Sequence, residues 1–265
     1  MNKSHESFYY KKAKEKGSFS VGHRKTILDF IKERAVEQDF LLEVGCGTAE
    51  ISKVLPEGVK YYGIDSSPFA IEKAKKENEK QEVNLCLFNP GQEKLNFNNK
   101  YFNFVLSVYS LEHFKNPRFM LDEMVRVLKP YGYLIILAPN LEMPLSFLNA
   151  IRHKNVFFKI WLATARISDY LFRVVGQYRF RTIKNNFTEE TGKYEKLDDD
   201  LSCIVSSYEV VNYLKKFHKM KGIFIKKFNG GKGIKNKIKK IITFMPSMKY
   251  YGDVLFVIMQ KINYD

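Results

Sequence analysis

The sequence predicts an α/β fold: a mostly parallel sheet with helices on both faces. Three observations carry this. Up to residue 140 of the 265, short apolar runs alternate with segments of helical periodicity. Two of those helical segments open on a capping residue followed by proline, Ser67-Pro68 and Asn116-Pro117. Hydrophobic residues make up 45% of the chain and aromatic residues 15%, enough for a sizeable core.

The elements follow in order. Residues 1–20 read as a charged arm with an aromatic knot at Phe8, Tyr9 and Tyr10. Ile27, Phe30 and Ile31 then recur at helical spacing. Residues 40–44 form the first strand and 45–48 a turn. "AEISKVL" is a short helix stopped by Pro56, which has no amide proton to continue it. "KYYGID" is the second strand, ending at Asp65. Ser67 caps the next helix, and Ala70, Ile71 and Ala74 give it an apolar face. "VNLCLFN" is the third strand, ending at Asn89, and "FNFVLSVYS" the fourth. Met120, Met124, Val127 and Leu128 mark another helix. "KPYG" reads as a turn and "YLIILAPN" as the fifth strand.

Beyond Asn140 the alternation breaks. Residues 141–205 read as a helical insertion forming a cap. Its stripe of Phe157, Ile160, Trp161, Thr164, Ile167, Leu171 and Val174 is expected to cover a core, with basic residues outward. The same pattern also suits a helix lying on an anionic membrane. "KNNFTEETGKYEKLDDD" reads as loop. The alternation then resumes with a helix in "SSYEVVNYLKKF", a strand "GIFIKKF", a basic helix near "GIKNKIKKIITF" and a last strand "GDVLFVIMQ". One domain over 1–265 results: arm and helix to 40, a ligand-binding core over 41–140, the cap over 141–205, and terminal elements over 206–265.

Composition narrows the function classes. The net charge of +15, from 44 Lys+Arg against 29 Asp+Glu, suits nucleic acid, a membrane surface or an anionic substrate. A lysine-rich, AT-biased genome gives the same charge with no partner, and both readings stay open. Three cysteines without paired spacing offer neither a disulfide framework nor a zinc site, and no metal is expected. The first residues hold no apolar signal segment, and no run reaches the ~18 apolar residues of a membrane span. A cytoplasmic protein is expected, with peripheral contact at the inner membrane face as the variant.

The turn "LLEVGCGTAE" carries the chemistry. Open α/β sheets bind ligands at the carboxyl ends of their strands. A dinucleotide fingerprint wants a small residue at position 50, where this chain has Glu50, a carboxylate that would repel a pyrophosphate. A Walker loop wants Gly-Lys-Ser/Thr, which is absent. Glu43, just before the turn, suits a cation. Asp65, at the end of the second strand, suits the two hydroxyls of a ribose. S-adenosylmethionine has a ribose, an ammonium and a sulfonium, and no phosphate.

Four stretches in order, "LLEVGCGTAEIS", "YYGIDSSPFAIEKAKK", "FNFVLSVYSLEHF" and "RVLKPYGYLIILAPN", resemble the class I S-adenosylmethionine-dependent methyltransferases, in particular their type 11 small-molecule branch. The resemblance implies a Rossmann-like seven-stranded sheet, mostly parallel with the last strand antiparallel, and a helical cap insertion. It places Glu43, Gly45, Cys46 and Gly47 around the methionine part of the cofactor, Asp65 on the ribose and Ser66 beside the adenosine. Asn89 would reach the adenine amine, and Ser107 and Val108 would line the sulfonium side. The family often has Asp at position 89 and glycine at 49; Asn89 keeps an acceptor and Ala49 stays small.

Methyl transfer needs chiefly positioning. For a hydroxyl acceptor a general base adds a factor of roughly 10²–10⁴, and His113 is the candidate. Tyr9, Tyr10 and Tyr109 are candidates to close over cofactor or acceptor. The tail resembles, loosely, bacterial methyltransferases of cell-surface saccharide pathways. A small-molecule or lipid-linked acceptor, such as a saccharide hydroxyl, is therefore the leading expectation. An RNA methyltransferase is the second. Against it, the fourth strand ends in "SVYSLEH", without the Asn/Asp-Pro-Pro-aromatic turn of base amino-group methylation, so specific nucleic-acid binding is not expected. A non-catalytic protein keeping the cofactor fold is the third.

Overall fold

The computed structural model describes residues 22–78, 83–88, 94–140, 155–182, 202–226 and 254–262. Helix α1 (Gly22–Arg34) precedes strand β1 (Phe40–Val44), a 3₁₀ turn (Glu50–Val54), β2 (Lys60–Asp65), α2 (Pro68–Glu77) and β3 (Val83–Leu87). Next come β4 (Phe102–Val108), a second 3₁₀ turn (Leu111–His113), α3 (Pro117–Val127) and β5 (Leu128–Pro139). Helix α4 (Val156–Val174), short strands β6 (Arg181–Thr182) and β7 (Cys203–Ile204), α5 (Ser207–His218), β8 (Met220–Ile225) and β9 (Val254–Lys261) complete the order.

One seven-stranded sheet runs β3-β2-β1-β4-β5-β9-β8, and β6 and β7 form a separate antiparallel ribbon. The pairings from β3 to β5 are parallel, while β9 is antiparallel to both its neighbours. Strand order reverses between β1 and β4, and a ligand crevice belongs at that switch, outside the strands' carboxyl ends.

Two apolar layers cover the sheet. Leu42, Val44, Ile64 and Val105 face α3 and α5 through Met120, Met124, Val210 and Leu214. Leu41, Tyr61, Phe104, Leu106 and Val108 face α1 and α2 through Ile27, Ile31, Ile71 and Ala74. Strand alternation therefore turns Glu43, between Leu42 and Val44, toward the α1–α2 side. The caps form as expected. Ser67 Oγ accepts from the Ala70 amide at 3.1 Å and Asn116 Oδ1 from the Phe119 amide at 3.1 Å.

Three expectations need correction. "AEISKVL" forms a 3₁₀ turn, because Ala49 sits left-handed (φ 54°) and Pro56 closes the segment before an α-helix can propagate. "KPYG" is not a turn: β5 runs through it with a shift of register opposite Phe102–Phe104. Gly132 allows this passage, since a Cβ there would lie 2.8 Å from the Asn103 carbonyl oxygen. The stripe on α4 does not cover a core. Phe157, Ile160, Trp161, Ile167 and Leu171 are exposed, while Leu162, Ala165, Arg166, Asp169 and Arg173 are buried. Arg181 Nε meets Asp169 at 2.6 Å and Arg173 Nε lies 3.5 Å from Glu209, so the helix is seated by ion pairs on its inner side. The expected basic helix near 232–243 lies outside the described residues.

Candidate active site

The site forms where β1, β2 and β4 end. Gly45 is left-handed (φ 77°), and a Cβ there would stand 2.3 Å from Ser110 Cβ, so only glycine lets the turn pass this close to the chain beyond β4. Gly47 (φ 52°) and Ala49 (φ 54°) continue the left-handed path.

Where the turn's amides point decides which ligand it suits. The Gly45 and Cys46 amides donate to the Ile64 carbonyl at 2.8 and 3.0 Å, and the Ala49 amide to Cys46 O at 2.9 Å. The Gly47 amide donates to Asp65 Oδ2 at 2.7 Å. These four N–H groups hold the turn against β2 and are not gathered into an anion nest of the kind that cradles phosphates. What the turn presents instead is carboxylate: Glu43, Asp65 and, in the next residues, Glu50.

Asp65 is buried at the end of β2, with Oδ1 accepting from the Ser67 amide at 2.9 Å. Two backbone donors thus fix the carboxylate in place, and a carboxylate, which only accepts, suits hydroxyl donors. Glu43 is buried and accepts from the Tyr61 hydroxyl at 2.6 Å. Burial pushes its carboxyl up to about 7, against the smaller opposing effects of the Tyr61 hydrogen bond and the Arg24 charge. Gly63 makes this arrangement possible. It pairs across the sheet with Glu43, and a Cβ on it would lie 2.9 Å from Cys46 Sγ, Leu85 Cδ2 and the Tyr61 hydroxyl. Gly63→Ala is expected to cost about 1–3 kcal/mol by displacing Tyr61 from Glu43. Thermal unfolding of the variant beside wild type, with the cofactor titrated into each, measures both effects.

Arg24 is a residue that sequence reasoning missed. It lies on α1, its guanidinium 5.5 Å over the Tyr109 ring, within electrostatic reach of Glu43 and Glu50. Burial lowers its pKa more than those partners raise it. The local signal on α1 was only its apolar face; the charge reaches the turn through tertiary packing.

The other expected residues fall as follows. Ser66 is exposed beside Asp65. The Cys46 thiol is buried in the apolar layer and pushed well up by burial, so it packs as a small apolar group. Val108 shares the Glu43 side of the sheet, but Ser107 points to the opposite side, with its hydroxyl 2.7 Å from Ser110 Oγ. Ser110 in turn donates to Val44 O at 2.7 Å. Tyr109 is left-handed (φ 53°) and partly exposed under Arg24, an outlier at the mouth of the site. His113 ends the 3₁₀ turn beyond β4, its Nε2 3.9 Å from Oε1 of the fully buried Glu112. Tyr9, Tyr10 and Asn89 lie outside the described residues.

Residues 42–136 match the family described as methyltransferase domain. The sheet order with its antiparallel β9, the carboxylate-lined turn and this match agree. Residues 42–136 are a class I S-adenosylmethionine-dependent methyltransferase domain. An uncharacterized methyltransferase of Schizosaccharomyces pombe is 35% identical over 106 residues, 36% of this chain and 38% of that protein. A ubiquinone biosynthesis O-methyltransferase of Coxiella burnetii is 28% identical over 136 residues, 51% of this chain and 52% of that protein. The chain thus aligns with about half or less of these relatives' lengths. A SAM dependent methyltransferase structure from Aquifex aeolicus superposes with a TM-score of 0.51 at 15% identity, over 96% of this chain and 98% of that one, which shows the shared fold. The cofactor implied by a methyltransferase domain is S-adenosylmethionine, and the residues present fit it: acids for a cation and a ribose, and no phosphate cradle.

Proposed function

We propose that this chain binds S-adenosylmethionine at the 43–50 turn and methylates a small-molecule or lipid-linked acceptor through oxygen. The observation that carries the reading is the pair of buried carboxylates, Glu43 and Asp65, beside a turn whose Gly45, Cys46, Gly47 and Ala49 amides are spent within the protein. Asp65 would accept from the ribose hydroxyls. Glu43 and Arg24 together match a zwitterion: the carboxylate takes the ammonium end of the methionine part and the guanidinium its carboxylate. Gly45, Cys46 and Gly47 bring the backbone close, Ser66 flanks the adenosine, and Val108 contributes apolar wall on the sulfonium side. Ser107 acts behind this surface by anchoring Ser110. Asn89 is kept as the adenine-facing residue, with Tyr9, Tyr10 and Tyr109 on the acceptor side. The bound cofactor supplies an electrophilic methyl group; the protein positions the acceptor and excludes water.

An oxygen acceptor is favoured because the Coxiella burnetii relative is an O-methyltransferase by name. His113 then serves as base, its Nε2 3.9 Å from Oε1 of Glu112. His113→Ala is expected to lower kcat by roughly 10²–10⁴-fold with cofactor affinity unchanged. Equal loss of cofactor binding would assign His113 to packing. No described helix is long and apolar enough to cross a membrane. Contact with the inner membrane face, where a lipid-linked acceptor would be met, belongs to the same reading.

The test is calorimetric titration of S-adenosylmethionine and S-adenosylhomocysteine, followed by transfer of labelled methyl to phenolic and lipid-linked saccharide acceptors, with tRNA at physiological salt as the rival. Failure of folded protein to bind either ligand overturns the enzyme reading. Labelled tRNA would move the acceptor to nucleic acid.

A further inference from the structure

The outward face of α4 is built unlike a helix that covers a core. Over 19 residues, about 28 Å of axis at 1.5 Å per residue, Val156, Phe157, Ile160, Trp161, Ile167 and Leu171 stand exposed along one side. Phe157 is 78% and Leu171 63% exposed. Three of the four charged residues of the same helix are turned the other way. Arg166, Asp169 and Arg173 are buried, and Asp169, the one acid in the helix, is bridged to Arg181. The sequence is amphipathic, but the polar side faces the protein. An apolar stripe of this size on a monomer's surface marks an interaction site.

Charge selects the occupant. Among the described residues, α4 turns no carboxylate outward, its one acid, Asp169, being buried. Lys159 lies half-buried on α4, and at the helix's C-terminal end Arg179 stacks 3.2 Å over the Phe172 ring. Lys216 reaches the Gly176 carbonyl at 3.4 Å there and lies over the half-exposed ring of Phe217. The chain as a whole carries +15. A second copy docked about a two-fold axis would set this cationic rim against itself, with no outward acid among the described residues of α4 to meet it. A flat surface with anionic heads over an apolar interior meets both the stripe and the rim. Phe157, Phe158 and Trp161, clustered near the helix's N-terminal end, suit the headgroup boundary.

We propose that the outer face of α4 docks the protein on an anionic lipid surface. The proposal deepens the proposed function by naming the partner at which a lipid-linked acceptor is met, and its test reads no methyl transfer, so each can fail alone.

Trp161 is the chain's sole tryptophan and stands 46% exposed on this face, so its fluorescence reports on the contact directly. The full chain is titrated with phosphatidylglycerol–phosphatidylcholine vesicles and with phosphatidylcholine vesicles alone, following emission, acrylamide quenching and co-sedimentation. The expected result is a blue shift and protection from quencher with the anionic vesicles only, weakened by salt. Ile160→Glu and Leu171→Glu lie at exposed positions and keep the tryptophan. Each is expected to lower partitioning at least tenfold with unchanged circular dichroism. Three results would overturn the proposal: no association with anionic vesicles, equal association with both vesicle types, or a concentration-dependent shift without lipid that the same variants abolish. The last would assign the face to a second copy.

Discussion

Asp65→Ala is expected to lower the affinity for S-adenosylmethionine by at least about a hundredfold. Hydrogen bonds to a charged acceptor are worth about 1.5–3 kcal/mol each, so losing two from a ribose corresponds to roughly 10²–10⁴ in affinity. The same substitution takes the acceptor from the Gly47 and Ser67 amides, which meet Asp65 at 2.7 and 2.9 Å. Each buried donor left without one costs about 1–3 kcal/mol, so the variant is also expected to unfold at lower temperature. Asp65→Asn separates the two roles. It keeps one oxygen for a backbone donor but brings an amino group against the other, and is expected to fall between wild type and Ala in both stability and affinity. Calorimetric titration of S-adenosylhomocysteine into the three proteins, with their melting curves, tests this. An Ala variant that melts early but binds as wild type would show that Asp65 serves the turn and not the ribose.

The legible and illegible parts of this molecule divide by the distance over which their causes act. Strands β1 and β2 fall on the expected residues because their apolar runs are bounded by local signals, and Ser67 and Asn116 cap the helices they were read to cap. The ligand class was legible because acids at 43 and 65, without a phosphate loop, is a local statement. Arg24 was not, since α1 reaches Glu43 only through the α1–α2 layer of the core. The family resemblance grouped Ser107 with Val108 on the sulfonium side, whereas strand alternation sends the two side chains to opposite sides of the sheet. The stripe on α4 shows a different limit. Periodicity establishes that one side of a helix is apolar; whether that side meets protein or another phase depends on where Asp169, Arg173, Arg181 and Glu209 find each other.

Glu43→Gln is expected to stabilise the protein above neutral pH while weakening cofactor binding. The Glu43 carboxyl stands at about 7 in the folded chain against an ordinary value of 4.5. The folded state therefore holds this proton more tightly than the unfolded one. The group's contribution is fully present below pH 4.5 and is lost as pH rises through about 7. Fully ionised, the buried carboxylate corresponds to a cost of about 3 kcal/mol at 1.36 kcal/mol per pKa unit. Glutamine is neutral throughout and keeps an oxygen for the Tyr61 hydroxyl, so at pH 8 the variant is expected to melt several degrees higher than wild type, with the gap closing toward pH 5. Ligand binding carries the opposite sign. An ammonium arriving beside Glu43 favours the charged carboxyl, so wild-type affinity should weaken as pH falls below about 7, by up to tenfold per unit. In the glutamine variant that dependence disappears, and affinity at pH 8 drops by roughly ten- to a hundredfold. A variant binding as tightly as wild type would remove Glu43 from the cation's path. One no more stable at pH 8 would mean that Arg24 already compensates the charge. The expected pairing of gain and loss follows from one cause: burial raises the pKa of Glu43 and lowers that of Arg24 beyond what each charge restores in the other, leaving both ready for a zwitterion.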